Sequence, residues 1–149
     1  MTEIGFYQLA SKPIEQVLPR VLEKAVAAGH RAVVRSADAT ALARLDVALW
    51  SYDPLSFLPH AIDGDTAADQ PILLTSGEET ANGADLAAVI DGRLPGDLEP
   101  FKRVLYLFDG GDEEALALAR RHWKALKARD DVKPVYWQEN AAGRWEKAG

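Results

Sequence analysis

Residues 103–108, RVLYLF, limit the fold of this chain more than any other stretch. A strand with one wet face alternates apolar and polar side chains. Here the run is nearly all apolar and β-prone, as in strands of parallel sheets that helices cover on both faces. The surrounding pattern agrees. Ile4–Leu9 reads as a first strand. Over residues 13–28, Ile14, Val17, Leu18, Val21, Leu22, Ala25 and Val26 recur at helical spacing, with Gly29 placed to close the helix. Pro19 lies inside that helix and predicts a kink. Arg31–Arg35 is a short second strand, and Asp38 caps a helix over Ala39–Trp50. Pro71–Thr75 and Asp85–Ile90 are buried-type runs separated by a turn or a frayed helical turn over Gly77–Gly83.

Beyond residue 108, Asp109–Gly111 turns into a helix from Asp112 to about Arg129. Val132–Gln138 and Gly143–Lys147 then form a final pair of short strands around Asn140–Gly143, expected to add antiparallel strands. Strand–helix alternation at both ends predicts an α/β fold: a three-layer, Rossmann-like, mixed and mostly parallel sheet with helices on both faces. With 149 residues, 48% of them hydrophobic and 27% charged, the chain can bury a core as one domain spanning 1–149. No internal repeat or linker interrupts it.

Such an outline invites a search for nucleotide chemistry, and the signatures fall short. After the first strand the chain reads ASKPIE rather than GxGxxG, and no GxxxxGK[ST] occurs. VLYLFDGGDEE resembles the apolar strand and acid of a Walker B segment, yet no phosphate loop accompanies it. Asp112, Glu113 and Glu114 are equally at home in a first helical turn, where the macrodipole favours negative charge. His30, His60 and His122 lack metal-ligand spacing, and no serine stands in a GxSxG elbow. Asp63 and Asp65 resemble a calcium loop only faintly, because the glycine and final glutamate positions do not fit. The absence of cysteine excludes disulfides and thiolate metal sites. No metal, cofactor or catalytic constellation is expected. The start MTEIGFYQLA lacks a basic n-region and no apolar run approaches a membrane span, so a soluble cytoplasmic protein is expected.

Two stretches stand out as surfaces for partners. On the helix from Asp112, Ala115, Leu116, Ala119, Trp123 and Leu126 form one apolar stripe at about 100° per residue. Arg120, Lys124 and Lys127 fall together along its flank, while Arg121 and Arg129 point elsewhere. A net charge of −6 repels nucleic acid at long range, so this basic ridge suits a carboxylate attached to apolar side chains better than duplex DNA. Basic residues near a helix C-terminus also complement the macrodipole, and Trp123 could equally be core.

The second stretch is LDVALWSYDPLSFLPH, residues 45–60. Trp50 falls about 100° from the stripe of Leu42, Leu45 and Leu49, on the shoulder of the buried face. Phe57 follows in a loop that Pro54 and Pro59 stiffen, a way to hold an aromatic outward as an interface anchor. The competing reading folds the loop back so that Phe57 plugs the end of the sheet.

Taken in order, these residues resemble the chi subunit of bacterial DNA polymerase III holoenzyme. The resemblance runs through Phe6-Tyr7, Leu45-Asp46 with Leu49-Trp50, Ser56-Phe57-Leu58-Pro59-His60 and Ala119-Arg120 with Trp123-Lys124. It continues through Tyr136–Gln138 and Gly143–Trp145. It implies a non-catalytic adaptor that binds the acidic, Phe-ending tail of single-stranded DNA-binding protein. The implied tail site is Arg120, Trp123 and Lys124 with Lys127 beside them. The implied docking surface for a psi subunit, clamp loader or helicase is Trp50 and Phe57 with Pro59 and His60. Some chi proteins carry a further lysine one turn before the key arginine, where this chain has Leu116, which implies a less basic pocket. Two other classes compete: a small nucleotide-handling enzyme, and a direct single-stranded DNA binder using the ridge and exposed tryptophans as stacking platforms.

Overall fold

In the computed structural model, residues 2–10, 12–51, 60–62, 71–76, 83–95, 98, 100–140, 142 and 144–148 are described. They build eight strands and three helices: β1 (Thr2–Leu9), α1 (Ile14–Ala27), β2 (Ala32–Arg35), α2 (Ala39–Ser51), β3 (His60–Ile62), β4 (Ile72–Thr75), β5 (Leu86–Val89), β6 (Arg103–Asp109), α3 (Glu113–Lys127), β7 (Val132–Glu139) and β8 (Trp145–Lys147). The sheet order is β3-β4-β2-β5-β6-β1-β7-β8. Every pairing is parallel except β7 with β8. The expected three-layer, mixed and mostly parallel α/β sheet is what the chain forms.

The handedness of the crossovers distributes the helices. From β1 to β2 and from β2 to β3 the chain moves one way across the sheet; from β6 to β7 it moves the other way. Right-handed connections therefore place α1 and α2 on one face and α3 on the opposite face. Leu18, Leu22, Leu45 and Leu49 pack on Val34, Leu74 and Leu107 in one layer, while Ala119 and Leu126 pack on Phe6, Val33 and Val104 in the other. Neighbours Val33 and Val34 thus serve opposite layers, which is why the central strands are apolar without alternation.

Two strand expectations need correction. The C-terminal pair is not antiparallel to the sheet as a whole: β7 runs parallel to β1, because the α3 crossover returns the chain in the same direction, and only β8 turns back. His60–Ile62, at the end of the stretch that Pro54 and Pro59 mark as a loop, is a short parallel strand on β4. The helix signals held. Asp38 Oδ1 accepts from the Thr40 and Ala41 amides at 2.9 and 3.3 Å, and Asp112 Oδ1 accepts from those of Glu114 and Ala115 at 3.0 and 3.2 Å. Gly29, at φ +93°, adopts the left-handed conformation that closes α1. Helix α1 runs unbroken through the buried Pro19. Most of the turn expected over Gly77–Gly83, and both calcium-loop aspartates, lie outside the described residues.

Candidate functional site

Helix α3 presents the basic ridge as its spacing predicts. Ala119 and Leu126 are buried, Leu116 and Trp123 are half-buried, and Arg120, Lys124 and Lys127 are exposed. Trp123 is held by aromatic edges rather than sunk in the core. Its ring meets Phe6 at 5.5 Å and 89° and Tyr136 at 5.4 Å and 85°, both edge-to-face geometries that aromatic quadrupoles favour. Phe6 is fully buried and stacks on Tyr106 at 4.8 Å, so the platform beneath Trp123 is rigid. The Lys127 ammonium lies 5.1 Å from the centroid of the Trp123 ring, within cation–π range.

Among the described residues, none of Arg120, Lys124 and Lys127 makes an ion pair. Arg129, two residues further on, is satisfied by Asp131 through Nε at 2.9 Å from Oδ1. The sheet side of the site was not singled out from the helix pattern. Tyr136 stands opposite Phe6, and Gln138 opposite Gln8, in the β1–β7 register. The Tyr136 hydroxyl donates to Gln8 Oε1. Burial pushes its pKa up, and the nearby Arg120 charge partly offsets that rise. An apolar ring beside cations that make no ion pair among the described residues can take a carboxylate and the apolar group it is attached to.

The second surface lies at the end of α2. Trp50 is 55% exposed and Val47 64% exposed, while Leu42, Leu45 and Leu49 are buried. Trp50 therefore stands on the shoulder of its helix, as the periodicity predicts. His60 does not share that exposure. It is 6% exposed and offers no surface of its own, because β3 carries it beneath the helix. There Nε2 lies 2.9 Å from Asp46 Oδ1, and the ring sits 4.6 Å from that of Trp50. His60 thus supports the Trp50 indole from inside. Phe57 and Pro59 lie outside the described residues.

The other histidines are tied into the fold. His30 Nδ1 pairs with Asp85 Oδ2 at 2.9 Å, joining the α1–β2 turn to the start of β5. His122 Nδ1 lies 2.9 Å from the Tyr106 hydroxyl. Burial pushes that tyrosine to about 12, so its hydroxyl keeps its proton, and the His122 tautomer sets which of the two groups donates. Among the described residues no group of three or more His, Cys, Asp or Glu side chains could hold a metal ion. No helix among them is long and apolar enough to cross a membrane.

Fold and surfaces together define a class: a three-layer α/β domain whose outstanding features are a cationic aromatic ridge on one face and an apolar helix end on the other. Within that class the chain belongs to the DNA polymerase III chi subunit family. Residues 1–132 match the family model described as "DNA polymerase III chi subunit, HolC". The DNA polymerase III subunit chi of Pseudomonas aeruginosa is 33% identical over 110 residues, covering 72% of this chain and 77% of that protein. A probable DNA polymerase III subunit chi of Rickettsia prowazekii is 24% identical over 117 residues, covering 73% and 71%.

Proposed function

We propose that the protein is a non-catalytic adaptor of DNA replication, acting in the bacterial cytoplasm as an accessory subunit of DNA polymerase III. The α3 ridge of Arg120, Trp123, Lys124 and Lys127 binds the acidic C-terminal tail of single-stranded DNA-binding protein. Trp50, with Phe57 and Pro59 from the following loop, docks a psi subunit, the clamp loader or a helicase, and the domain links the two. The observation that carries this reading is the ridge itself: three exposed cations that make no ion pair among the described residues, on the same helix as a half-buried tryptophan that Lys127 overlies. Arg120 supplies a charge-assisted hydrogen bond to the terminal carboxylate, and the peptide's Phe rests against the Trp123 platform. Calorimetric titration with an acidic Phe-ending peptide, set beside titration with poly-dT, tests it. Peptide binding that far exceeds poly-dT binding is expected; the reverse would favour a direct single-strand binder.

A further inference from the structure

On the sheet face opposite the ridge, a groove of about 640 Å³ opens between α1 and the β1–β8 end of the sheet. Tyr7 and Trp145 line it, edge-to-face at 5.4 Å, and both are only half-buried. Val17, Val21 and Ala48 add apolar surface from the two helices. Along its rim Arg20 and Lys24 stand one helical step of four residues apart, with Lys12 before them, and all three are exposed. Among the described residues none of the three has an ion-pair partner.

The two acids that line the groove are already engaged. Glu15 pairs with Arg44 at 3.1 Å, and the buried Glu139 accepts the Ala10 amide at 3.2 Å. With Glu15 offset by Arg44, the three cations outweigh the Glu139 carboxylate, so the groove is positive on a chain whose net charge is −6. Residues four apart on a helix are about 6 Å apart along its axis. Alternate residues of an extended peptide repeat at about 6.6–6.8 Å on one side. An extended strand can thus set acids against Arg20 and Lys24 while its intervening side chains face Tyr7 and Trp145.

We propose that this groove is a second peptide-docking site, one that takes an extended internal segment of a partner protein in which acidic and apolar residues alternate. It does not depend on the α3 ridge, which lies on the other face of the sheet. A peptide fits better than a nucleic acid strand, since the acidic molecule repels a long polyanion and only three cations are on offer.

The test uses the full chain, ¹⁵N-labelled, and a heptapeptide Glu-Leu-Glu-Phe-Glu-Leu-Glu blocked at both ends so that it has no terminal carboxylate for the ridge. Saturable shifts of the Trp145 indole N–H and of amides 16–24 are expected. The doubly reversed variant Arg20→Glu/Lys24→Glu, altered only at exposed positions, should bind at least tenfold more weakly, and Arg120→Ala should bind as wild type does. Three results would each overturn the proposal. The Trp145 resonance stays unmoved at millimolar peptide; the reversed variant or a Gln-for-Glu peptide binds equally well; or a dT oligonucleotide shifts the same resonances at lower concentration than the peptide does.

Discussion

Lys127 holds its ammonium 5.1 Å from the centroid of the Trp123 ring, so charge and apolar surface on α3 form one unit. Trp123 in turn leans on Phe6 and Tyr136. Trp123→Ala removes both edge-to-face pairs, each worth about 0.5–1.5 kcal/mol beyond area burial. The variant should lose tail-peptide binding and also melt lower. Trp123→Phe should recover part of both. Calorimetry and thermal denaturation on the two variants check this, and full peptide affinity in Trp123→Ala would show that the ring is core and nothing more.

The pair His60 and Asp46 yields a prediction that separates support from contact. His60→Ala leaves Asp46 without its imidazole partner and Trp50 without the ring beneath it. Asp46 is partly exposed and can be rehydrated, so the cost is the hydrogen bond and the packing of the buried ring, about 1 kcal/mol or more, and urea denaturation should show a clear destabilisation. Trp50→Ala, at an exposed position, should leave stability within about 1 kcal/mol while abolishing capture of the psi or helicase partner. A Trp50→Ala variant that unfolds readily yet still binds would reverse the two roles.

The pH dependence follows from His122. Burial, with help from the Arg121 charge, holds its folded pKa below the usual 6.5. Between the folded and unfolded values the unfolded chain binds the proton more readily, so the folded state is disfavoured as pH falls through that window. Stability contributed by the neutral imidazole is present above pH 6.5 and drains away below it. His122→Gln, whose amide keeps a hydrogen-bonding partner for the Tyr106 hydroxyl without a titrating group, should flatten the curve. Urea midpoints measured from pH 7.5 to pH 5 test the sign: a wild-type midpoint that rises on acidification would contradict it.

Salt gives a further handle. If the ridge takes the acidic tail as proposed, screening should weaken their attraction while burial of the peptide's aromatic persists. Tail affinity should therefore fall only modestly between low and physiological ionic strength. A decline as steep as that of a many-phosphate contact would point to nucleic acid as the true ligand.

What the sequence could reveal tracks where a pattern exists. The periodicity of residues 115–127 places Ala119 and Leu126 inward and Arg120, Lys124 and Lys127 outward, because a surface helix must bury one stripe. β6 is legible because both of its faces are buried. β3 is not: three residues after a proline carry no period, and only pairing with β4 makes them a strand. The burial of His60 was hidden for the same reason. The direction of β7 was obscured because a strand–turn–strand ending looks alike whether its first strand is parallel or antiparallel to the sheet. Tyr136 and Gln8 meet through the β1–β7 register, a tertiary fact with no local signal.

The most direct measurement is calorimetric titration of wild type and Arg120→Ala with an acidic, Phe-ending peptide. Arg120 is exposed and makes no ion pair among the described residues, so its removal should leave the melting temperature unchanged. Binding should weaken by about 1.5–3 kcal/mol, the worth of a hydrogen bond to a charged group. Equal affinity of the variant and wild type for the peptide would contradict the assignment of the α3 ridge as the tail site.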